Sequence, residues 1–324
     1  MIIKKIIIEN FACFYGNHEF NISENFTLFN ARNGDGKTTI SRAFAWVFKE
    51  HSNPSKAISM KKYSELSNGE STQIRVKVYF YHHGEKAIEK YLTFTKEESK
   101  FSYNEERLGY KIIEGLEISV PVESLLDFFT IDLYLCFFQA REANVNLSED
   151  ILLHFTRKYK LINNELSLIE KCSNKYLQML KSNSDSYKIR IKNEDALIRI
   201  YLSESENNHI SLHNLDYNFI SIISYSIILG FREYCEYLIG EKYPLFIDSP
   251  CMDMNDKYIE RLFELLDNSK QQNIVATSYY LNEWGDINNI IFPKKCYAYY
   301  LQKSNDFISK GQEHNVSIVS EKIL

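Results

Sequence analysis

The stretch NARNGDGKTT, Asn30 to Thr39, constrains this chain more than any other. Before it runs HEFNISENFTLFN, mixed β-branched and aromatic. After it runs TTISRAFAWVFKEH, in which Ile40, Ala43, Phe44, Val47 and Phe48 recur at helical spacing. A glycine-rich turn joining a strand to a helix N-terminus is the setting of the phosphate-binding loop G-x-x-x-x-G-K-[ST]. In such a loop the backbone N–H groups turn inward around phosphates and the lysine reaches the outer ones. The hydroxyl after the lysine holds Mg²⁺. The candidate nucleotide-contacting residues are therefore Asn33, Gly34, Asp35, Gly36, Lys37, Thr38 and Thr39, with Thr38 as a metal ligand. Gly34 and Gly36 hold the tightest positions, where a Cβ would obstruct or strain the turn. Ala31 replaces the first glycine of the pattern, at the loop entrance, with the smallest possible side chain.

A phosphate loop needs a carboxylate at the end of a neighbouring buried strand to hold Mg²⁺. YPLFIDSP supplies four apolar or aromatic residues and then Asp248. Around it, the last third alternates helix and strand: NFISIISYSIILGFREYCEYL, then YPLFID, then NDKYIERLFELLDNS, then QNIVATS. That order implies a parallel sheet in an α/β fold.

Between these ends the sequence is less specific. Residues 72–120 predict an antiparallel sheet, with His83-Gly84-Glu85 at a hairpin turn. LLDFFTIDLYLCFFQAREAN turns helical and apolar. Residues 156–200, nearly free of glycine and proline, are expected to be at most two short helices of about 30 Å each. They carry ten Lys/Arg against five Asp/Glu, whereas the whole chain has a formal charge of −5. Arg157, Lys158, Lys160, Lys188, Arg190 and Lys192 thus form either a solvated helical face or a docking surface for phosphates or a partner. LSESENNHISLHN is expected to be a loop. Six scattered cysteines without a C-x-x-C pair point to reduced thiols rather than disulfides or metal. No apolar run approaches the roughly 18–20 residues that span a bilayer, so a cytoplasmic protein without membrane contact is expected.

Together, IIIENFACFYG, the N-G-x-G-K-T-T loop of Asn33 to Thr39, the hhhhDSP strand and the A-T ending of the next strand resemble ATP-binding-cassette heads of the SMC and RecF type. The DSP variant is similar to DndD-like, defence-associated heads. The resemblance implies an α/β P-loop NTPase of ABC-head type, with an N-terminal antiparallel β-subdomain, a mixed or parallel core sheet and a short helical insertion. It implies lobe one over 1–150, the insertion over 151–210 and lobe two over 211–324. ATP and Mg²⁺ are the implied cofactors, with Thr38, Asp248 and Gln139 of FFQARE as metal contacts and Gln139, Asp248 and Ser249 at the catalytic positions. The implied partners are a second head joined through ATP, as homodimer or higher oligomer, an effector such as a nuclease or toxin from a neighbouring gene, and nucleic acid.

The departures from the pattern bear on turnover. The Ser-Gly-Gly signature is replaced by LDYNFIS, without glycine and with Asp216. The catalytic glutamate is Ser249, the histidine of the following strand is Ser278, and Asn255 stands at the D-loop aspartate. Serine is no general base at neutral pH, which leaves Asp253 or Glu142 as substitutes. The resemblance therefore implies an ATPase with slow or partner-dependent hydrolysis that controls an effector or surveys nucleic acid, in defence against phage. The alternatives are a scaffold that holds nucleotide without turnover and a DNA-repair ATPase.

Overall fold

The computed structural model describes residues 1–32, 34–48, 57–98, 101–125, 152–153, 156–157, 163–181, 187–194, 197–205, 208–210, 215–240, 242–248, 255–278, 296–304, 308–309, 312–313 and 316–323. The chain opens with β1 (Ile2–Glu9), β2 (Asn17–Asn21), β3 (Phe26–Ala31), α1 (Lys37–Phe48) and α2 (Met60–Glu65). Next come β4 (Ser71–Tyr81), β5 (Glu85–Lys96), β6 (Phe101–Ile113) and β7 (Leu116–Val120). The middle holds α3 (Asn163–Lys181), β8 (Lys188–Glu194), β9 (Leu197–Ser205), β10 (Asn208–Ile210) and α4 (Tyr217–Ile239). The last third holds β11 (Leu245–Asp248), α5 (Asp256–Asp267), β12 (Asn273–Thr277), β13 (Cys296–Ser304), β14 (Ile308–Ser309), β15 (Gln312–Glu313) and β16 (Val316–Ile323). No helix among the described residues is long and apolar enough to cross a membrane.

Two compact units result, each assembled from separated parts of the chain. The first comprises Met1–Phe138, Pro244–Ser249 and Lys270–Leu324, and contains two larger sheets. One is antiparallel, in the order β2-β1-β4-β5-β6-β7. Its β4 buries Ile74, Val76, Val78 and Phe80 on one face, as the period-two pattern requires. The β4–β5 turn is built at His83 and Gly84, both at positive φ.

The other sheet, in the order β11-β12-β3-β13-β16, is parallel through its first four strands and closes with antiparallel β16. Side chains join the two sheets. The Gln272 amide donates to the Ile3 and Ser23 carbonyls, each at 2.7 Å, and accepts from the Ile3 N–H at 2.8 Å. The Tyr299 hydroxyl accepts from the Asn21 N–H at 2.7 Å and donates to its carbonyl at 3.0 Å. Phe20, Phe29 and Tyr299 pack ring on ring beneath these links.

The second unit comprises Gln139–Tyr243 and Pro250–Ser269. Here the structure departs from the helical expectation for 156–200. Asn163–Lys181 is a helix, but residues 188–205 form an antiparallel hairpin, β8 with β9. The expected loop after Leu202 continues β9 and adds β10. The physical reason is alternation: Ile189, Ile191, Ile198, Ile200 and Leu202 are all buried, which a strand satisfies with one face and a helix cannot. α3 closes the outer edge of β8. Asn174 donates to the Ile189 carbonyl and accepts its N–H, both at 2.8 Å, and Glu170 accepts the Ile191 N–H at 2.9 Å. The expectation also ran one strand from His18 into the loop, whereas β2 and β3 belong to different sheets.

α3 and α4 meet at a small-residue contact. A Cβ on Gly230 would lie 2.4 Å from the Ser173 nitrogen and 2.6 Å from its Cα. The Ser173 hydroxyl is folded back onto the Ile169 carbonyl of its own helix. Gly230→Ala must push the helices apart, and we expect a loss of about 1–3 kcal/mol, typical of overpacking, read as a lowered urea midpoint. A midpoint equal to that of the parent protein would contradict this close approach.

Candidate functional site

The first unit carries the loop at the carboxyl edge of its parallel strands, where ligands of open α/β sheets bind. β3 is buried along its whole length and delivers the chain into the turn, and α1 begins at Lys37. Gly34 and Gly36 have φ of 92° and 106°, a region closed to residues with a Cβ except at a cost of about 1–3 kcal/mol. Ala31, in contrast, ends β3 at negative φ with its methyl fully buried, so it is an ordinary strand residue. The Asp35 N–H donates to the Arg32 carbonyl at 3.2 Å, and the Thr39 and Ile40 N–H groups donate to the Gly36 carbonyl.

Lys37 is only 5% exposed. Its ammonium donates to the Ala31 and Arg32 carbonyls at 2.6 and 2.9 Å, so the charge lies within the turn. Asp35 and Thr39 are buried and Thr38 is half-buried. Cys13, in the loop after β1, donates its thiol hydrogen to the Thr39 hydroxyl at 3.4 Å. That loop is closed by Asn10, at φ 52°, whose side chain accepts the Gly16 N–H and donates to the Gln73 carbonyl. Phe11 then packs on Trp46 of α1, 5.3 Å between ring centroids. The Asn-Phe pair of the sequence is thus the clamp that seats α1.

Asp248 ends β11 and is 2% exposed. β11 is not the immediate neighbour of β3, as the sequence reading had it, because β12 lies between. In register, Asp248 pairs with Ala276, and Ala276 with Phe29. The carboxylate therefore shares a sheet face with Phe29 and Ala31, two strand spacings or roughly 10 Å from β3. Phe246, two residues earlier on the same face, meets Phe44 of α1 at 5.9 Å between centroids. In the adjacent register row Asn30 lies between Thr277 and Tyr300. Its side-chain amide is buried, and neither Nδ2 nor Oδ1 has a hydrogen-bond partner among the described residues. Ser278 follows β12 and is exposed.

Within the second unit, Asp216 caps α4, accepting the Phe219 N–H at 2.8 Å. Asn255 caps α5 and donates its own N–H to the Asn218 side chain at 2.7 Å. Arg232, fully buried in α4, donates Nε and Nη2 to the carbonyl of Tyr243, two residues before β11. Burial pushes its guanidinium down to about 9. Sequence reasoning missed Cys13, Gln272 and Arg232; only the Asn-Phe pair pointed to the loop around Cys13. Asn33, Gln139, Glu142, Ser249 and Asp253 lie outside the described residues, as do Lys158 and Lys160.

No curated protein matches the chain at a significant level. Among solved structures it is similar to an SMC head bound to the C-winged helix domain of ScpA. That likeness has 14% identity and a TM-score of 0.59, covering 100% of this chain and 98% of that one. It is similar to the SMC head domain from Thermotoga maritima, at 16% identity and TM-score 0.54, with 100% of each chain covered. It is also similar to the Pyrococcus furiosus Smc head with an extended coiled coil, bound to the C-terminal domain of ScpA. There the identity is 12% and the TM-score 0.58, over 99% of this chain and 96% of that one. These likenesses give the fold, an SMC-type P-loop NTPase head. A sequence profile for the AAA domain matches residues 5–212, well over half of the length, and the chain therefore belongs to the AAA-domain family.

Proposed function

We propose that this protein is an ATP-binding switch that turns over slowly on its own. The observation that carries this reading is one edge of one sheet: a turn with two positive-φ glycines and a buried lysine, and a buried aspartate on the same sheet face. The residues fit Mg²⁺·ATP. The backbone from Asn33 to Thr39 would surround the phosphates, and Lys37 would exchange its carbonyl partners for the outer ones. Thr38, Asp248 and Gln139 would hold the metal, which supplies charge neutralisation at the transferred phosphate. Asp216, already bound to its own helix start, contributes no anion site, and Ser249 and Ser278 offer no base. Slow hydrolysis follows, so bound ATP persists long enough to hold an assembled state. A scaffold without turnover is the second reading, favoured by the same Asp216 cap.

The output of the switch, on this proposal, is head-to-head association that controls a partner protein in the cytoplasm, in the manner of compact DndD-like defence systems. Two of the similar structures are heads holding ScpA, which supports a head that works through a bound partner. Nucleic acid is the proposed trigger. The β8–β9 hairpin places Lys188, Arg190, Lys192, Arg199 and Tyr201 on one face, with Arg199 opposite Lys192 and Tyr201 opposite Arg190. Lys188, Lys192 and Arg199 are exposed, whereas Arg190 is half-buried and paired with Glu170 at 2.8 Å. Glu194 also lies on this face, held by the Tyr201 hydroxyl. Positive charge predominates along about 13 Å of strand, the length of roughly four phosphates of one duplex strand.

ATP with Mg²⁺ should raise the melting temperature, because ligand binding to the native state alone adds about 2.7 kcal/mol at a hundredfold excess over Kd. Lys37→Ala and Gly36→Ala should lose that shift and Ala31→Gly should keep it. A full shift in Lys37→Ala would mean that another loop binds the nucleotide.

Turnover of the protein alone should fall well under about 1 s⁻¹, the low end for enzymes. Ser249→Glu should raise it, since a positioned base contributes about 10²–10⁴-fold. Phosphate release at several per second by the unmodified protein would defeat the slow-switch reading.

Replacing Lys188, Lys192 and Arg199 with alanine should weaken duplex DNA binding and flatten its salt dependence by about 0.9 log units per lost contact. Equal binding by parent and triple variant would exclude this face as a phosphate surface.

A further inference from the structure

β7 is one of the two edges of the antiparallel sheet and, among the described residues, is hydrogen-bonded to β6 alone. Leu116 and Ile118 of β7 and Ile113 of β6 are 70%, 47% and 54% exposed, a contiguous apolar strip. Edge strands ordinarily carry a lysine, a proline or a bulge that prevents further pairing. β7, with the sequence LEISV, has none of these, and its register with β6 is unbroken. Its one charge, Glu117, is held by the Lys77 ammonium at 2.6 Å and the Tyr79 hydroxyl at 2.8 Å.

The turn fixes which groups face outward. Glu114 and Gly115, with φ of 52° and 80°, form a two-residue hairpin connection, so the flanking pair Ile113 and Leu116 exchanges hydrogen bonds. The pairs of Lys111 with Ile118 and Gly109 with Val120 do the same, two residues further along. The N–H and C=O groups of Glu117 and Ser119 therefore point away from β6, at the open edge.

We propose that this edge pairs with β7 of a second copy of the chain, antiparallel, with Ile118 on the two-fold axis. Centred there, each Glu117 faces Ser119 of the other copy and each Leu116 faces Val120. No charge meets its like, and the apolar strips become continuous. Glu117 and Ser119 of each copy exchange both backbone hydrogen bonds, four in all. Pro121, which lacks an N–H, ends the ladder on both sides. Each chain has one β7, so the contact closes at two copies. A five-residue pair falls short of the roughly 1,000 Å² of a stable interface, and the association is accordingly weak and concentration-dependent. It uses none of the residues of the nucleotide loop and does not rest on the proposed ATP switch. Combined with ATP-driven association, it would link heads into higher oligomers.

The test is register-specific cross-linking of the full chain without nucleotide. Opposed Ile118 residues form a non-hydrogen-bonded pair with Cα atoms about 4.5 Å apart, within the 4.4–6.8 Å that a disulfide spans. Ile118→Cys should form an oxidised dimer on a non-reducing gel above the background of the parent chain's own six cysteines. Ser119→Cys, whose counterpart in this register is Glu117, should not. Sedimentation of the unmodified chain should show a concentration-dependent dimer that Ile118→Lys abolishes, and both results should persist in Lys37→Ala. Equal cross-linking by the two cysteine variants, or a monomer at every concentration, would overturn the proposal. So would a dimer that survives Ile118→Lys, or one that disappears with Lys37→Ala, which would belong to the nucleotide site instead.

Discussion

The structure of the first unit depends on the burial of β3 between two parallel neighbours. All six of its residues are buried, and its ladder partners, β12 and β13, come from the far end of the sequence. Because these strands run parallel, their carboxyl ends, and hence the phosphate loop, Asp248 and Ser278, lie along one edge of one sheet. A hairpin sheet could not achieve this, since its strand ends alternate in direction. The cost is long-range closure. More than two hundred residues separate β3 from β12 and β13 in the sequence.

That closure is secured by a few side chains that imitate backbone. Gln272 donates and accepts at Ile3 as a paired strand residue would, and Tyr299 does the same at Asn21. A typical hydrogen bond contributes a net of about 1 kcal/mol, but a buried partner left unsatisfied costs about 1–3. These two residues therefore matter more for what their loss would expose than for what their bonds add. They tie β12 and β13 to β1 and β2 of the antiparallel sheet.

Much of this was legible, and the exceptions have physical causes. The turn at Gly34 and Gly36 was readable because positive φ requires glycine at particular positions. The place of Asp248 at the end of a buried strand was readable from the apolar run that precedes it. Strand order was not readable, since nothing local in YPLFID or QNIVATS encodes that β12 stands between β11 and β3. The β8–β9 hairpin was misread although its period of two is plain in KIRIK and LIRIY. Its connection, Asp195-Ala196, carries no glycine or proline, so the usual mark of a hairpin is missing and a polar, breaker-free stretch reads as helix. The misreading mattered, because on a helix Arg190 would point away from Lys188 and Lys192, while on a strand all three share a face.

Asp216 shows how a departure from a family pattern can be read twice. In the sequence it is a negative charge where a phosphate-binding glycine is expected. In the structure it accepts the Phe219 N–H and caps α4, as aspartate does at many helix starts. The two readings share a cause. A helix N-terminus attracts anions because its first N–H groups lack partners and the helix dipole is positive there. A carboxylate fixed at that terminus satisfies one donor and offsets the dipole, and the attraction for an external phosphate falls accordingly. α5 begins in the same way, capped by Asn255, which is itself bonded to Asn218. The starts of α4 and α5 are thus each capped from within the chain. On the proposed function, nucleotide affinity then resides in the loop of the first unit, and a second copy adds little to it through these helix ends. On the same proposal, contacts between copies draw on other surfaces, and the edge of β7 is one whose backbone groups at Glu117 and Ser119 point outward.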